Sequence, residues 1–392
     1  MRVLVAPDCF TGTLTAGQAA GAVVAGWRRR APGDDLEECP LSDGGPGFVD
    51  VLHQVLGGDL AAVTVPGPLG DPVSASVLLV AGPDGVPTAY LESAQACGLH
   101  LVPVGRRNPG QTSTAGVGVL LAAARSAGAR RIVVGIGGSC TNDAGAGVLG
   151  ALASLQAGPQ AGPQAGPRAG LDRRTAGGEA LRGVDAADLA GLAAVRDDWR
   201  EVDLVIASDV DVPLLGLQGA SAGFAAQKGA GPEQAQELER CLGDFAWAAT
   251  GALGTERTLT AAPGAGAGGG LGFGLMLLGG TRVPGSQAVL DAVGFADRLR
   301  RSDLVITGEG SFDWQSLRGK VVAGVAREAL AVGTPVVVIA GQVLLGRRES
   351  LAIGIGSAYP VAETPEQVAA ALADPAGTLA ARAERVARTW SR

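Results

Sequence analysis

A glycine-rich turn with clustered polar side chains lies in the segment RRIVVGIGGSCTNDAGAG, residues 130–147. Gly137 and Gly138 directly follow an apolar run, and glycine lets the backbone adopt positive φ angles and approach a ligand closely. The helix expected next offers unpaired N–H groups, so the turn favours a bound phosphate. Groups that could bind substrate hydroxyls or a hydrated metal ion come from Ser139, Thr141, Asn142 and Asp143. A tight turn whose polar residues only cap the helix is the alternative, and for this turn alone both stay open.

Acidic residues occupy similar turns after other apolar runs. They are Asp8, Asp43, Asp209, Asp211, Glu309 and Asp313. Each one alone is more typical of a helix cap or a turn. Together, carboxylates that point into one crevice repel each other unless a cation or shared protons hold them, which predicts a Mg²⁺ site or a general base.

Cations that could meet an anionic ligand are found in three short segments. They are Arg107 in RRNP, Lys228 in AQKGA, and Arg318 with Lys320 in SLRGKVV. Flanking glycine, proline or asparagine predicts that each lies in a loop. Loop placement is typical of a phosphate or carboxylate clamp, although a solvated charge is the commoner role of a single lysine.

Strand-like runs of β-branched residues precede these turns and alternate with helical stretches, as in VLVAPD before LTAGQAAGAVVAGWRRR. In that helix Thr15 is the predicted N-cap, and the basic residues 28–30 lie in the last turn, where cations are favourable. The alternation predicts an α/β fold with a parallel sheet covered on both faces. Ligands of such sheets bind beyond the carboxyl ends of the strands, where all of these turns fall.

Length, charge and composition exclude several classes of protein. A chain of 392 residues exceeds one hydrophobic core and predicts two domains. The net charge of -7, without a long Lys/Arg block, argues against a nucleic-acid surface. The apolar runs are too short to span a membrane, and Asp8 comes too early for a signal peptide, so we expect a cytoplasmic protein. Five scattered cysteines and two histidines argue against a disulfide framework, a zinc site and a Ser-His-Asp triad.

The segment GAGAGG, residues 264–269, matches the dinucleotide-binding pattern GxGxxG, with Asp291 at a suitable distance for a ribose contact. No strand-like run precedes it, which disfavours a nicotinamide-dependent oxidoreductase. We interpret these glycines as a close backbone approach near the start of a helix.

Two further segments are expected to lie outside the chemistry. The tandem QAGP repeat at 156–167 cannot bury enough surface to fold, which predicts a flexible low-complexity loop over residues 156–170. From about Thr364 an Ala/Arg-rich pattern predicts one amphipathic helix that packs on the outside.

Long motifs occur in a fixed order along the whole chain. They are VAPDCFTGTLTA, LSDGGPGF, ESAQACGL, RRNP, TSTAGVG, GIGGSCTNDAGAG, SDVDVPLLG, GASAGFAAQKGA, PGAGAGGGLG and DLVITGEGSFDWQS. In this combination the chain resembles the bacterial type I glycerate kinase family, as a divergent member. The resemblance implies ATP-dependent phosphorylation of D-glycerate to a phosphoglycerate, with Mg²⁺. It also implies a doubly wound parallel-sheet domain built from both chain ends, residues 1–66 and 288–392, and an inserted α/β domain, residues 67–287.

The candidate residues receive roles in this reaction as a hypothesis. Asp209 and Asp211 hold Mg²⁺ or take the hydroxyl proton, and Lys228 and Lys320 balance transition-state charge. Substrate or phosphate is bound by Asp8, Asp43, Gly44, Gly45, Arg107, Gly137, Gly138, Ser139, Thr141, Asn142, Asp143, Gly308, Glu309, Gly310 and Asp313. The expected partners are a small hydroxy acid and a second copy of the chain in a homodimer, with neither nucleic acid nor membrane.

Three positions depart from the pattern of the family that the chain resembles. Thr11 and Ser311 stand where the family usually has Lys and Arg, and Pro46 stands where it usually has Glu. The missing cations remove donors that would hold a carboxylate or phosphate. Two alternatives therefore stay open, namely a kinase for a related small hydroxy acid and a catalytically silent ligand-binding relative.

Overall fold

The computed structural model describes residues 1–82, 84–157, 176–317 and 319–391 of the chain, which divides into two compact units. Unit 1 contains Met1–Asp43, Asp50–Gly57 and Pro284–Arg392, and unit 2 contains Gly44–Val49 and Gly58–Val283. Both chain ends therefore build unit 1. The predicted low-complexity loop lies, from residue 158 onward, outside the described residues, as does Arg318.

The described strands form one sheet in each unit and a short two-stranded ribbon in unit 1. In chain order they are β1 Arg2–Val5, β2 Asp35–Glu38, β3 Asp59–Pro66, β4 Pro72–Ala81, β5 Pro87–Glu92, β6 Arg131–Gly135, β7 Asp203–Ala207, β8 Thr281–Val283, β9 Leu304–Thr307, β10 Ser311–Phe312, β11 Val336–Ala340, β12 Gln342–Val343 and β13 Ser357–Pro360.

The sheet of unit 1 has five strands in the order β13-β11-β9-β1-β2, and every pairing is parallel. From β1 the chain winds outward to β2, and from β9 it winds in the opposite direction through β11 to β13. The strand order therefore reverses between β1 and β9, which makes their carboxyl ends the topological switch point. The predicted α/β class with a doubly wound parallel sheet built from both chain ends is confirmed.

The α-helices fill the connections between these strands. In chain order they are α1 Ala16–Arg30, α2 Phe48–Leu56, α3 Ala94–Cys97, α4 Ala115–Ser126, α5 Ala146–Ala157, α6 Leu192–Trp199, α7 Ala220–Phe224, α8 Pro232–Leu253, α9 Leu271–Leu277, α10 Gly285–Ala292, α11 Phe295–Arg300, α12 Val321–Val332, α13 Arg347–Ala352, α14 Pro365–Ala373 and α15 Pro375–Trp390.

Helix α1 begins as the sequence predicts, and its partner in unit 1 is the last helix of the chain. The Thr15 hydroxyl accepts from the N–H of Gln18 at 3.2 Å, and the Gln18 side chain accepts from the N–H of Thr15 at 3.0 Å, which is a capping box. Helix α15 packs closely on α1, since a Cβ on Gly26 would lie 1.9 Å from the carbonyl oxygen of Ala380. The prediction of a single terminal helix is wrong, because Pro375 cannot continue α14 and starts α15 instead.

The six-stranded sheet of unit 2 has the order β3-β4-β5-β6-β7-β8. Strands β5 to β8 are parallel, as the strand–helix alternation predicts, whereas β3, β4 and β5 pair antiparallel. This antiparallel portion is not predicted by the alternation of strands and helices. Strand β3, which lies within the predicted first domain at residues 1–66, pairs along its whole length with β4 and belongs to unit 2.

Two expectations from composition can be compared with the structure. No described helix combines the length and the apolar character needed to cross a membrane. The five cysteines are free thiols, and four of them are buried. The four buried cysteines pack as small core residues.

Candidate active site

The candidate residues divide between the two units, and each set is positioned by the elements of its own unit. Unit 1 holds Asp8, Asp43, Gly308, Glu309, Gly310, Asp313 and Lys320. Unit 2 holds Gly44, Gly45, Arg107, Gly137, Gly138, Ser139, Thr141, Asn142, Asp143, Asp209, Asp211 and Lys228.

In unit 1, Asp8 and Glu309 follow the neighbouring strands β1 and β9. The N–H of Asp8 donates to the carbonyl oxygen of Gly308 at 2.8 Å, which continues the strand pairing beyond the strand ends. Gly308 must be glycine, because a Cβ there would lie 1.9 Å from the carbonyl oxygen of Ile339. The carbonyl oxygen of Glu309 accepts from the N–H of Gly341 at 3.0 Å. The backbone that carries both carboxylates is therefore fixed by its neighbours.

The Glu309 side chain is 8% exposed, and its Oε1 atom has no hydrogen-bond partner. Burial raises the pKa of this carboxyl to about 7. The Ser316 hydroxyl and the Lys320 ammonium oppose the shift, while the negative charges of Asp313 and Asp43 increase it. Glu309 is therefore partly protonated at neutral pH.

Asp8 shares this environment. Burial raises the pKa of its carboxyl to about 8, and the charges of Asp43 and Glu309 add to the effect. The N–H of Cys9 donates to Asp8 Oδ1 at 2.7 Å and partly opposes the shift. The structure thus brings together three of the acidic residues predicted from the sequence.

Asp313 is held within its own turn. Its Oδ1 accepts from the N–H of Gln315 at 2.8 Å, and its Oδ2 accepts from the Ser311 hydroxyl at 3.3 Å. Gly310 fixes the start of the same turn, since its carbonyl oxygen accepts from the N–H of Gln342 at 3.0 Å. Lys320 is the N-cap residue of α12, and its side chain makes no capping hydrogen bond. The beginning of α12 therefore carries two sources of positive charge, the ammonium group and the positive end of the helix dipole.

In unit 2 two glycine-rich turns meet backbone to backbone. The N–H of Gly137 donates to the carbonyl oxygen of Gly44 at 3.1 Å. A Cβ on Gly137 would lie 2.7 Å from the Cα of Gly45, so glycine is required for this packing. Gly138 has a φ of +74° and is exposed to solvent, where a ligand could approach it.

Asp143 is fully buried and uses its carboxylate inside the protein. Its Oδ2 accepts from the N–H and the hydroxyl of Thr114, at 2.8 and 2.9 Å. The N–H groups of Gly145 and Gly147 donate to the two oxygens at 3.1 and 3.3 Å. Burial raises the pKa of Asp143, and these hydrogen bonds oppose the shift. The carboxylate therefore joins the beginnings of α4 and α5 and serves to position the turn.

Lys228 is also buried, with an exposed fraction of 3%. Its ammonium group donates to Ser139 Oγ at 3.0 Å and to the carbonyl oxygen of Thr141 at 2.7 Å. Burial lowers the pKa of this ammonium to about 8, while the nearby thiols Cys97 and Cys140 oppose the shift. Lys228 thus fixes the middle of the turn.

The GAGAGG segment packs against the same turn and is not preceded by a strand, as the sequence analysis expected. A Cβ on Gly269 would lie 1.9 Å from the carbonyl oxygen of Thr141, which confirms the close backbone approach near the start of α9. The side-chain amide of Asn142 donates to Ser221 Oγ at 3.0 Å, whereas its buried Oδ1 has no hydrogen-bond partner.

Asp209 and Asp211 follow β7, as predicted. Arg282 forms an ion pair with Asp211 and also donates to the carbonyl oxygen of Ser208, at 3.0 and 2.8 Å. Arg107 is half-buried, and its Nε donates to the carbonyl oxygen of Val102 at 3.4 Å. Across the described parts of the chain, no three or more His, Cys, Asp or Glu side chains are grouped as a metal site.

Sequence reasoning missed two residues that shape this region of unit 2. Glu92 is 4% exposed and accepts from the N–H of Gly47 at 3.0 Å and of Val49 at 3.4 Å, where α2 begins. Thr114 binds Asp143, as described above. Glu92 ends β5, so the rule that singled out the other acidic residues could have found it. Nothing in the sequence pairs Thr114 with Asp143.

The chain is similar to known proteins along most of its length. The model of the glycerate kinase family matches residues 3–391. The glycerate kinase of Bacillus subtilis (strain 168) is 40% identical over 351 residues, 88% of this chain and 85% of that protein. The glycerate 2-kinase of Escherichia coli (strain K12) is 38% identical over 345 residues, 87% of this chain and 85% of that protein. A crystal structure from Salmonella typhimurium LT2, assigned as a glycerate kinase 2, has a TM-score of 0.77 at 34% identity and covers 100% of this chain and 98% of its own. The chain therefore belongs to the glycerate kinase family, and it is a phosphotransferase that acts on an alcohol group.

Proposed function

We propose that the protein transfers the γ-phosphoryl group of ATP to a hydroxyl of D-glycerate, giving phosphoglycerate and ADP. The observation that carries this proposal is the set of interacting carboxyl groups at the topological switch point of the unit 1 sheet, Asp8, Asp43 and Glu309. Ligands of doubly wound sheets bind at that point. Carboxyl groups there suit a substrate that presents hydroxyls as hydrogen-bond donors.

Anionic groups of the reactants need separate partners, because the acidic set would repel them. Lys320 at the beginning of α12 offers an ammonium beside a helix N-terminus, the type of site that binds phosphate. In unit 2 the exposed Gly138 and the guanidinium of Arg107 are the groups we assign to anion binding. In phosphoryl transfer such positioning and charge neutralisation supply most of the catalysis.

Asp209 and Asp211 fit a magnesium ion that arrives with the nucleotide. In such sites Mg²⁺ is held by one or two carboxylates together with substrate phosphates and water, so a cage made only of protein groups is not required. Arg282 forms an ion pair with Asp211, and we assign Asp209 and Asp211 together as the protein ligands of this ion. When bound, the ion would neutralise charge on the phosphates.

A related small hydroxy acid is the second candidate substrate. Thr11 is exposed, and Ser311 donates to Asp313. Neither residue supplies a cation for a substrate carboxylate. This favours an acceptor that carries less negative charge than a substrate bound by Lys and Arg at these two positions.

The proposal is tested by incubating the protein with Mg-ATP and a panel of hydroxy acids, D-glycerate first, while ADP release is measured. Phosphorus NMR of the product then identifies the hydroxyl that receives the phosphate. We expect ADP release to depend on D-glycerate. Nucleotide binding without ADP release for any acceptor would indicate a silent relative. The homodimer and the cytoplasmic location remain predictions. Sedimentation of the full chain tests whether it forms the homodimer.

A further inference from the structure

One buried carboxylate oxygen in unit 1 is left without a hydrogen bond. Glu309 Oε1 has no partner among the described residues, although the residue is more than nine-tenths buried. An unsatisfied buried polar atom destabilises the folded protein, and a charged group does so more strongly. Glu239 also has such an oxygen, but that residue is only half-buried and its other oxygen accepts from the N–H of Gly216 at 2.6 Å.

The fold holds Glu309 in this position. Its backbone is tied to the end of β11 through Gly341, and the preceding Gly308 is tied to Asp8 after β1. A Cβ on Gly308 would lie 1.9 Å from the carbonyl oxygen of Ile339, so the glycine backbone packs directly against β11. Oε1 of Glu309 is therefore an atom at the switch point with which a ligand could form a hydrogen bond.

The groups around Glu309 set its proton affinity. The negative charges of Asp43 and Asp313 raise its pKa, whereas the Ser316 hydroxyl and the positive charge of Lys320 lower it. Asp8 lies in the same acidic set, and burial raises its pKa as well, with the charges of Asp43 and Glu309 adding to the effect. An efficient base has its pKa near the working pH.

We propose that Glu309 is the general base of the phosphoryl transfer and accepts the proton of the substrate hydroxyl on Oε1. This inference rests on the proposed function. In the step, the hydroxyl oxygen forms a bond to the γ-phosphorus of ATP, while the bond from that phosphorus to the oxygen bridging the β- and γ-phosphates breaks and ADP leaves. The hydroxyl proton moves to Glu309, which returns it to water after product release. The sequence hypothesis assigned Asp209 and Asp211 either to Mg²⁺ or to the hydroxyl proton, and both then keep only the assignment to Mg²⁺.

The test compares the wild type with Glu309→Gln, which keeps the shape and removes the base. Turnover with D-glycerate and Mg-ATP is measured across the pH range that brackets neutrality, and nucleotide affinity is measured by calorimetry. For the wild type, kcat should rise with pH through an apparent pKa near that of Glu309. For the variant we expect kcat to fall by at least about a hundredfold and the acidic limb to disappear, with nucleotide affinity unchanged. A smaller fall in kcat, or an acidic limb that persists, would overturn the proposal.

Two controls separate the outcomes. Glu201→Gln makes the same chemical change at an exposed position in unit 2 and should leave the kcat profile unchanged. Unfolding of Glu309→Gln against pH shows whether the variant is folded. It should also gain stability relative to the wild type as pH rises to about 7, because it lacks the buried charge. If the wild type itself releases no ADP, the proposed function fails; if the wild type is active and the kcat of Glu309→Gln falls by less than about a hundredfold, only the assignment of the base fails.

Discussion

The ammonium group of Lys228 donates a 2.7 Å hydrogen bond to the carbonyl oxygen of Thr141 inside unit 2. A second hydrogen bond to Ser139 Oγ means that one buried cation joins two positions of the glycine-rich turn. Sequence reasoning assigned Lys228 to transition-state charge. Its burial and its two acceptors indicate that it first fixes the conformation of the turn.

Replacing Lys228 by methionine keeps much of the volume and removes both hydrogen bonds. We expect the unfolding free energy to fall by about 1–3 kcal/mol, because Thr141 and Ser139 lose their donor. The difference should depend on pH. Burial lowers the pKa of Lys228 to about 8 in the folded protein from 10.5, so the unfolded chain binds the proton more tightly. The wild type should therefore gain stability relative to the variant as pH rises between these two values.

Chemical unfolding of the wild type and of Lys228→Met at neutral pH and near pH 10 measures this effect. We expect the difference in unfolding free energy between the two proteins to be smaller at neutral pH. Equal differences at both pH values would mean that the ammonium group is not desolvated as the structure indicates.

Asp143→Asn tests whether Asp143 positions the turn or binds a ligand. An amide has one acceptor oxygen where the carboxylate has two, so N–H groups at the beginnings of α4 and α5 would lose a partner. We expect the unfolding free energy to fall by about 2–4 kcal/mol, because several hydrogen bonds and helix caps are lost together. Asp197→Asn, at an exposed position of α6, is the matched control and should be neutral. If Asp143→Asn has normal stability but a lower affinity for the substrate, Asp143 binds the substrate, as predicted from the sequence.

The sequence predicted the parts of the site that depend on local order along the chain. Asp8, Glu309 and Asp209 could be recognised because each follows a run of β-branched residues, and parallel strands bring such positions to one edge of a sheet. The capping residue of α1 was recognised for a similar reason, since Thr15 and its partner are three residues apart.

Tertiary contacts are what the sequence did not reveal. The Asp143 carboxylate accepts a hydrogen bond from Thr114, which lies 29 residues earlier. No local sequence pattern connects the two residues. The ion pair of Asp211 with Arg282 joins the ends of β7 and β8 and depends on their adjacency in the sheet. The antiparallel β3–β5 portion went unrecognised because β3 is largely exposed and lacks the buried apolar run of the parallel strands.

Asp209→Asn and Asp211→Asn should differ in their effect on magnesium use. We expect Asp209→Asn to lower turnover by at least about a hundredfold and to raise the Mg²⁺ concentration needed for half-maximal rate. Asp211→Asn should have a weaker effect, because Arg282 already neutralises that carboxylate. Rates measured against Mg²⁺ at fixed ATP give both quantities. Near-normal turnover in Asp209→Asn would remove this residue from the site.

Gly308→Ala tests whether the backbone before Glu309 must stay in place. The added Cβ would lie 1.9 Å from the carbonyl oxygen of Ile339, so either β11 or the turn has to move. We expect a loss of about 1–3 kcal/mol in unfolding free energy, the usual cost of overpacking, together with a fall in kcat as the Glu309 carboxylate is displaced. Gly356→Ala is the matched control, since its nearest neighbour is 3.8 Å away, and it should change neither quantity. If Gly308→Ala keeps full turnover despite the loss of stability, the position of Glu309 is not critical for the reaction.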